Sequence, residues 1–138
     1  MERRDRSPSP IAGLSLMLDM KSSSPGRNIT LARNFDGFCP MGPGMTTPER
    51  LVQSVLEVSC SIDGSAAVAM RFPNWPALFR RAVEMLQGTM TLEAGDIVAL
   101  QPPDGGLTLS VSPGNRMRIE LEGIGCLETR IVETRLGP

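Results

Sequence analysis

Asp19 closes an apolar run from Ile11 to Met20, and a carboxylate there is costly to bury unpaired. A cation or a backbone N–H would relieve that cost, and the sequence leaves both open. The chain has no histidine. A histidine base, Ser-His-Asp and Cys-His arrangements, and histidine metal sites are therefore excluded. Any metal would rest on carboxylate and carbonyl oxygens, the donor set of Mg²⁺, Mn²⁺ or Ca²⁺. Cys39, Cys60 and Cys126 are an odd, widely spaced set without a Cys-x-x-Cys, so neither a disulfide framework nor a zinc site is indicated. Cys39 and Cys60 have no charged sequence neighbour to make a reactive thiolate.

These residues sit in 138 residues with 41% hydrophobic content and a net charge of −1, the scale of one soluble domain. The balanced charge gives no electrostatic footprint for nucleic acid. No apolar stretch is long enough for a signal peptide or membrane span, and the cysteine usage fits a reducing, cytoplasmic setting. Residues 1–10, charged and Pro-containing, read as a disordered lead-in to a domain spanning 11–138. With 14 Gly and 12 Pro, short strands and turns are favoured over a helical bundle.

The patterning supplies the elements. Ile11–Met20 reads as a buried strand, Ser22–Gly26 as a loop leading to Asn28–Ala32, and Phe35–Pro48 as a fixed irregular path. Thr47-Pro48-Glu49-Arg50 can cap a short helical turn. Leu56, Val58, Cys60 and Ile62 alternate with polar residues, Asp63-Gly64 turns the chain, and Val68, Met70 and Phe72 resume the alternation, which predicts a hairpin. Trp75, Leu78, Phe79, Ala82, Val83 and Leu86 then form one helical stripe, with Asn74 as cap and Gly88 as terminator. Strands are expected again at Asp96–Leu100, Leu107–Val111, Met117–Glu122 and Leu127–Thr134, with Pro103–Gly106 in a loop. Asp96 reads as a turn acid, Glu120 and Glu122 as a solvated face, and Trp75 as core. The expected class is mostly β (α+β), with one main helix.

Ala32-Arg33-Asn34-Phe35-Asp36-Gly37-Phe38-Cys39-Pro40-Met41-Gly42-Pro43 resembles the K-S-F-D-x-F-x-P-x-G-P segment of the fumarylacetoacetate hydrolase family. Ile11–Met20, Thr91–Val98, Pro103–Gly106 and Glu120–Glu128 resemble four further segments in order. The resemblance implies a β-roll of mixed strands and activity on a small oxo-acid: carbon–carbon hydrolysis, decarboxylation or isomerisation through a metal-stabilised enolate. It implies Mg²⁺ or Mn²⁺ as cofactor, with Asp19 at the position of a metal-ligating aspartate. Arg33 falls on the family lysine, where it can orient a carboxylate but cannot act as a base. Lys21 follows two residues after Asp19, either as a replacement cation or as a solvated loop lysine. A homodimer, a higher oligomer or a partner chain is implied; nucleic acid and membrane are not.

The family's Glu-x-Glu metal motif has no counterpart in residues 1–18, where the only Glu is Glu2. The G-T-P loop is replaced by Leu100-Gln101-Pro102-Pro103. These departures fall where the family does chemistry, while turn glycines and strand alternation are kept. A non-catalytic binding or structural subunit, or a metal-independent biosynthetic enzyme, is the alternative.

Overall fold

The computed structural model describes residues 11–22, 32–102 and 108–133. The expected lead-in at 1–10, most of the segment Asn28–Ala32 and the Pro103–Gly106 loop lie outside the described residues. The elements are β1 (Leu14–Met17), β2 (Met41–Thr46), a 3-10 turn (Pro48–Arg50), β3 (Val55–Ile62), β4 (Ser65–Pro73), α1 (Trp75–Thr89), β5 (Arg116–Leu121) and β6 (Gly125–Arg130). The expected mostly β fold with one main helix is present. Strands β1 and β2 form one sheet, and a second has the order β4-β3-β5-β6. Every described pairing is antiparallel.

The β3–β4 hairpin forms because Asp63 and Gly64 both take positive φ (50° and 81°), the twist a two-residue turn needs. The Asp63 carboxylate accepts from the Arg116 N–H (2.8 Å) and the Asn115 side chain (2.6 Å), tying this turn to β5. On β5, Met117, Ile119 and Leu121 face inward and Arg118 and Glu120 outward, as the period-two pattern requires. The core joins Leu14 and Leu16 of the small sheet to Leu56, Val58, Cys60, Phe72, Met117, Ile119, Leu121 and Leu127 of the large one. Thr46 also donates its hydroxyl to the Gly123 carbonyl (2.9 Å), linking β2 to the β5–β6 turn.

Several expectations change. The first strand is only Leu14–Met17 long, so Asp19 lies beyond its end. The segment expected to be irregular contains β2; despite Gly42, Pro43 and Gly44, its backbone supplies a ladder for β1, and a register shift between Leu14 and Leu16 absorbs the misfit. The last strand is Gly125–Arg130, because the tight turn at Gly123 lets Gly125 pair with Leu121 at once. No ladder forms at 96–100 or 108–111 among the described residues. The side-chain alternation is real there, since Leu109 and Val111 pack on the core while Thr108 and Ser110 are exposed. Alternation without an adjacent strand edge does not make a strand.

Helix α1 follows the predicted stripe, but only Trp75 and Phe79 from it reach the core. Trp75 is 3% exposed and donates its indole N–H to the Gln53 carbonyl at 2.7 Å. Phe79 meets it edge-on, with ring centroids 6.0 Å apart. Asn74 does not cap with its side chain; at φ 46° its carbonyl instead accepts from the N–H groups of Ala77 and Leu78. Gly88 lies within the helix, which ends one residue later, where Met90 donates to the Leu86 carbonyl.

Candidate functional site

Beyond β1 the chain continues alongside residues 32–40. Leu18 donates its N–H to the Pro40 carbonyl (3.1 Å), Met20 to Phe38 (3.0 Å) and Ser22 to Ala32 (2.8 Å). The facing segment is folded by a turn in which Phe38 donates to the Phe35 carbonyl (3.1 Å), with Gly37 at φ 78°. The rings of Phe35 and Phe38 pack with centroids 5.0 Å apart. Ala32, buried at the head of this segment, fixes the root from which Arg33 extends.

These two runs bring together Asp19 and Arg33, two of the three residues singled out in the sequence. Arg33 Nη1 forms a hydrogen-bonded ion pair with Asp19 Oδ2. The side chains are 43% and 42% exposed, so the pair borders solvent. The open question of what compensates Asp19 thus has an answer: a guanidinium. A guanidinium carries five N–H donors in a rigid plane, and the contact with Asp19 uses one. The remaining donors suit a second carboxylate. Lys21 is exposed and forms no ion pair among the described residues.

The donor set does not fit a divalent cation. Among the described residues no group of three or more Asp, Glu, Cys or His side chains is placed to hold a metal ion. Mg²⁺ and Mn²⁺ need several oxygen donors, and Asp19 brings one carboxylate already matched by Arg33. Several other acids have partners of their own. Asp96 accepts from the Glu93 N–H (2.8 Å), as its reading as a turn acid requires. Glu57 pairs with Arg71, Glu120 with Arg118, and Glu128 with Arg116 and Arg118. Glu122 is exposed, on the expected wet side.

Sequence reading did not single out a cavity of about 390 Å³ beside the β3–β4 turn, lined by Ser61, Asp63, Gly64, Arg116, Arg118 and Glu128. Its charged side chains already have partners: Glu128 pairs with both Arg116 and Arg118, and the Asp63 carboxylate accepts from the Arg116 N–H and the Asn115 side chain. Cys60 is buried in the core, and burial raises its thiol pKa, the opposite of what a nucleophile needs. No described helix is long and apolar enough to cross a membrane.

The chain spans about half the length of the relatives it matches. It is 29% identical over 132 residues to an uncharacterized protein of Pyrococcus abyssi, covering 88% of this chain and 56% of that one. Among solved structures, it is similar to maleylpyruvate hydrolase from Sphingobium sp. SYK-6 in complex with manganese(II) and pyruvate. That match has 25% identity and a TM-score of 0.66, covering 89% of this chain and 45% of the other. It is also similar to 5-carboxymethyl-2-hydroxymuconate delta-isomerase from Mycobacterium smegmatis, with 28% identity, a TM-score of 0.64, and 79% and 42% covered. Residues 4–132 match the model of the fumarylacetoacetate hydrolase C-terminal domain, and with the same segments carrying the ion pair and the folded turn, this chain belongs to the fumarylacetoacetate hydrolase family.

Proposed function

We propose that this protein acts on a small oxo-acid, in the hydrolase or isomerase chemistry of its relatives, with Arg33 as the group that receives the acid's carboxylate. The observation that carries this is the meeting of Asp19 and Arg33 at the solvent border, on the segments that bear the family resemblance. Asp19 occupies one N–H of the guanidinium, and the rest of its plane can take a carboxylate by two parallel hydrogen bonds. Lys21, exposed and two residues from Asp19, adds positive charge to the same segment. A homodimer or larger assembly in a reducing, cytoplasmic setting fits the relatives' greater length and the three free cysteines.

Mg²⁺ and Mn²⁺ carry no step in this reading, because the described residues bring no group of three or more acidic or sulfur donors together. That same fact favours a second reading, a family member that binds a small acid or a partner without turning it over.

The test is a thermal melt with oxalate, a mimic of the enolate form of an oxo-acid, with and without Mg²⁺ or Mn²⁺. Ligand at about 100 times its Kd stabilises the folded state by about 2.7 kcal/mol, a rise of several degrees. The expected result is a rise with the natural protein and none with Arg33→Gln. Turnover of maleylpyruvate or related oxo-acids, followed by loss of absorbance, would then separate the enzyme from the binding subunit. No rise under any condition overturns the oxo-acid reading.

A further inference from the structure

We infer that Arg33 takes, at Asp19, the place that a divalent cation takes elsewhere in the family, so that a small carboxylic acid binds this chain without metal. The inference rests on the oxo-acid reading above and specifies how that site works. A hard cation gathers several oxygen donors and is repelled by a fixed positive charge among them. Here the described residues place no group of three or more Asp, Glu, Cys or His side chains around Asp19, and a guanidinium already contacts it. An incoming carboxylate meets the reverse situation. It finds a planar cation with N–H groups beyond the one Asp19 uses, held at a half-exposed position where ion pairs are weak enough to rearrange.

The role of Asp19 reverses in consequence. As a metal ligand it would be required for acid binding; as the partner of Arg33 it competes with the incoming acid for the same guanidinium. Neutralising Asp19 therefore has opposite effects in the two cases.

The experiment is calorimetric titration of oxalate into the full chain, once in EDTA and once with Mn²⁺, beside electron paramagnetic resonance of Mn²⁺ with the protein alone. The expected results are oxalate binding of the same strength in both buffers and a Mn²⁺ signal unchanged by the protein. Asp19→Asn is expected to bind oxalate as well as the natural protein or more tightly. Arg33→Gln is expected to lose at least about tenfold in affinity, and Arg33→Lys to fall between, since it keeps the charge but not the fork. Circular dichroism of each variant checks that it is folded. Oxalate binding that requires Mn²⁺ and vanishes in Asp19→Asn overturns the inference and leaves the oxo-acid reading standing. Absence of oxalate binding in both buffers overturns that reading, and the inference with it.

Discussion

Gly37 closes the Phe35–Phe38 turn with φ 78°, a conformation in which a Cβ is strained although no neighbouring atom fills the space. Gly37→Ala is expected to cost about 1 kcal/mol, and Gly37→Asn less, because asparagine tolerates this region better. Urea unfolding measures both. The same turn holds the segment that carries Arg33, so Gly37→Ala should also weaken oxalate binding. Cys60 gives a pH prediction with a definite sign. Burial raises its folded pKa above the unfolded value, so the folded state keeps a proton that the unfolded chain releases in alkali. Stability is then full below the ordinary thiol range and falls as pH rises through it toward the folded value. A urea midpoint that declines as pH rises above the ordinary thiol value of about 8.5, flattened in Cys60→Ala, would show it. The reactive residues were only partly legible in the sequence. Asp19 stood out because a carboxylate after an apolar run demands a partner. Which partner it has depends on residues 18–22 lying beside 32–40, a tertiary fact with no local signal.

At the scale of elements, legibility followed periodicity wherever the element carries its own hydrogen bonds or its own turn. Helix α1 and the β3–β4 hairpin were readable from spacing and from Asp63-Gly64. Strand β2 was not, because its glycines and proline argue against a strand until β1 is placed beside it. Among their described residues the expected strands at 96–100 and 107–111 fail because no adjacent edge pairs with them, although at 108–111 the alternation is present. Ile97, 67% exposed, marks how little covers the first of them. Trp75 is the anchor of its element, so Trp75→Ala is expected to cost about 3–5 kcal/mol. Trp75→Phe keeps most of the burial but loses the bond to the Gln53 carbonyl, which should cost about 1 kcal/mol. Equilibrium denaturation should rank the two variants in that order.

For the molecule as a whole, the order β4-β3-β5-β6 leaves the nine-residue β4 at a sheet edge. Its exposed Ala66, Ala67 and Ala69 offer neither charge nor bulk to discourage pairing with another chain. Light scattering is expected to report a dimer or larger species, shifted toward monomer by Ala67→Lys; a strict monomer at all concentrations would refute this. The core is continuous across both sheets but takes from the helix only Trp75 and Phe79, while Met85 near the far end is 68% exposed. Attachment at one end means that the helix need not melt together with the sheets. Amide hydrogens of β3 and β5 should exchange only through global unfolding, whereas those of α1 should exchange progressively faster from Phe79 toward Thr89, dividing one small chain into two cooperative units.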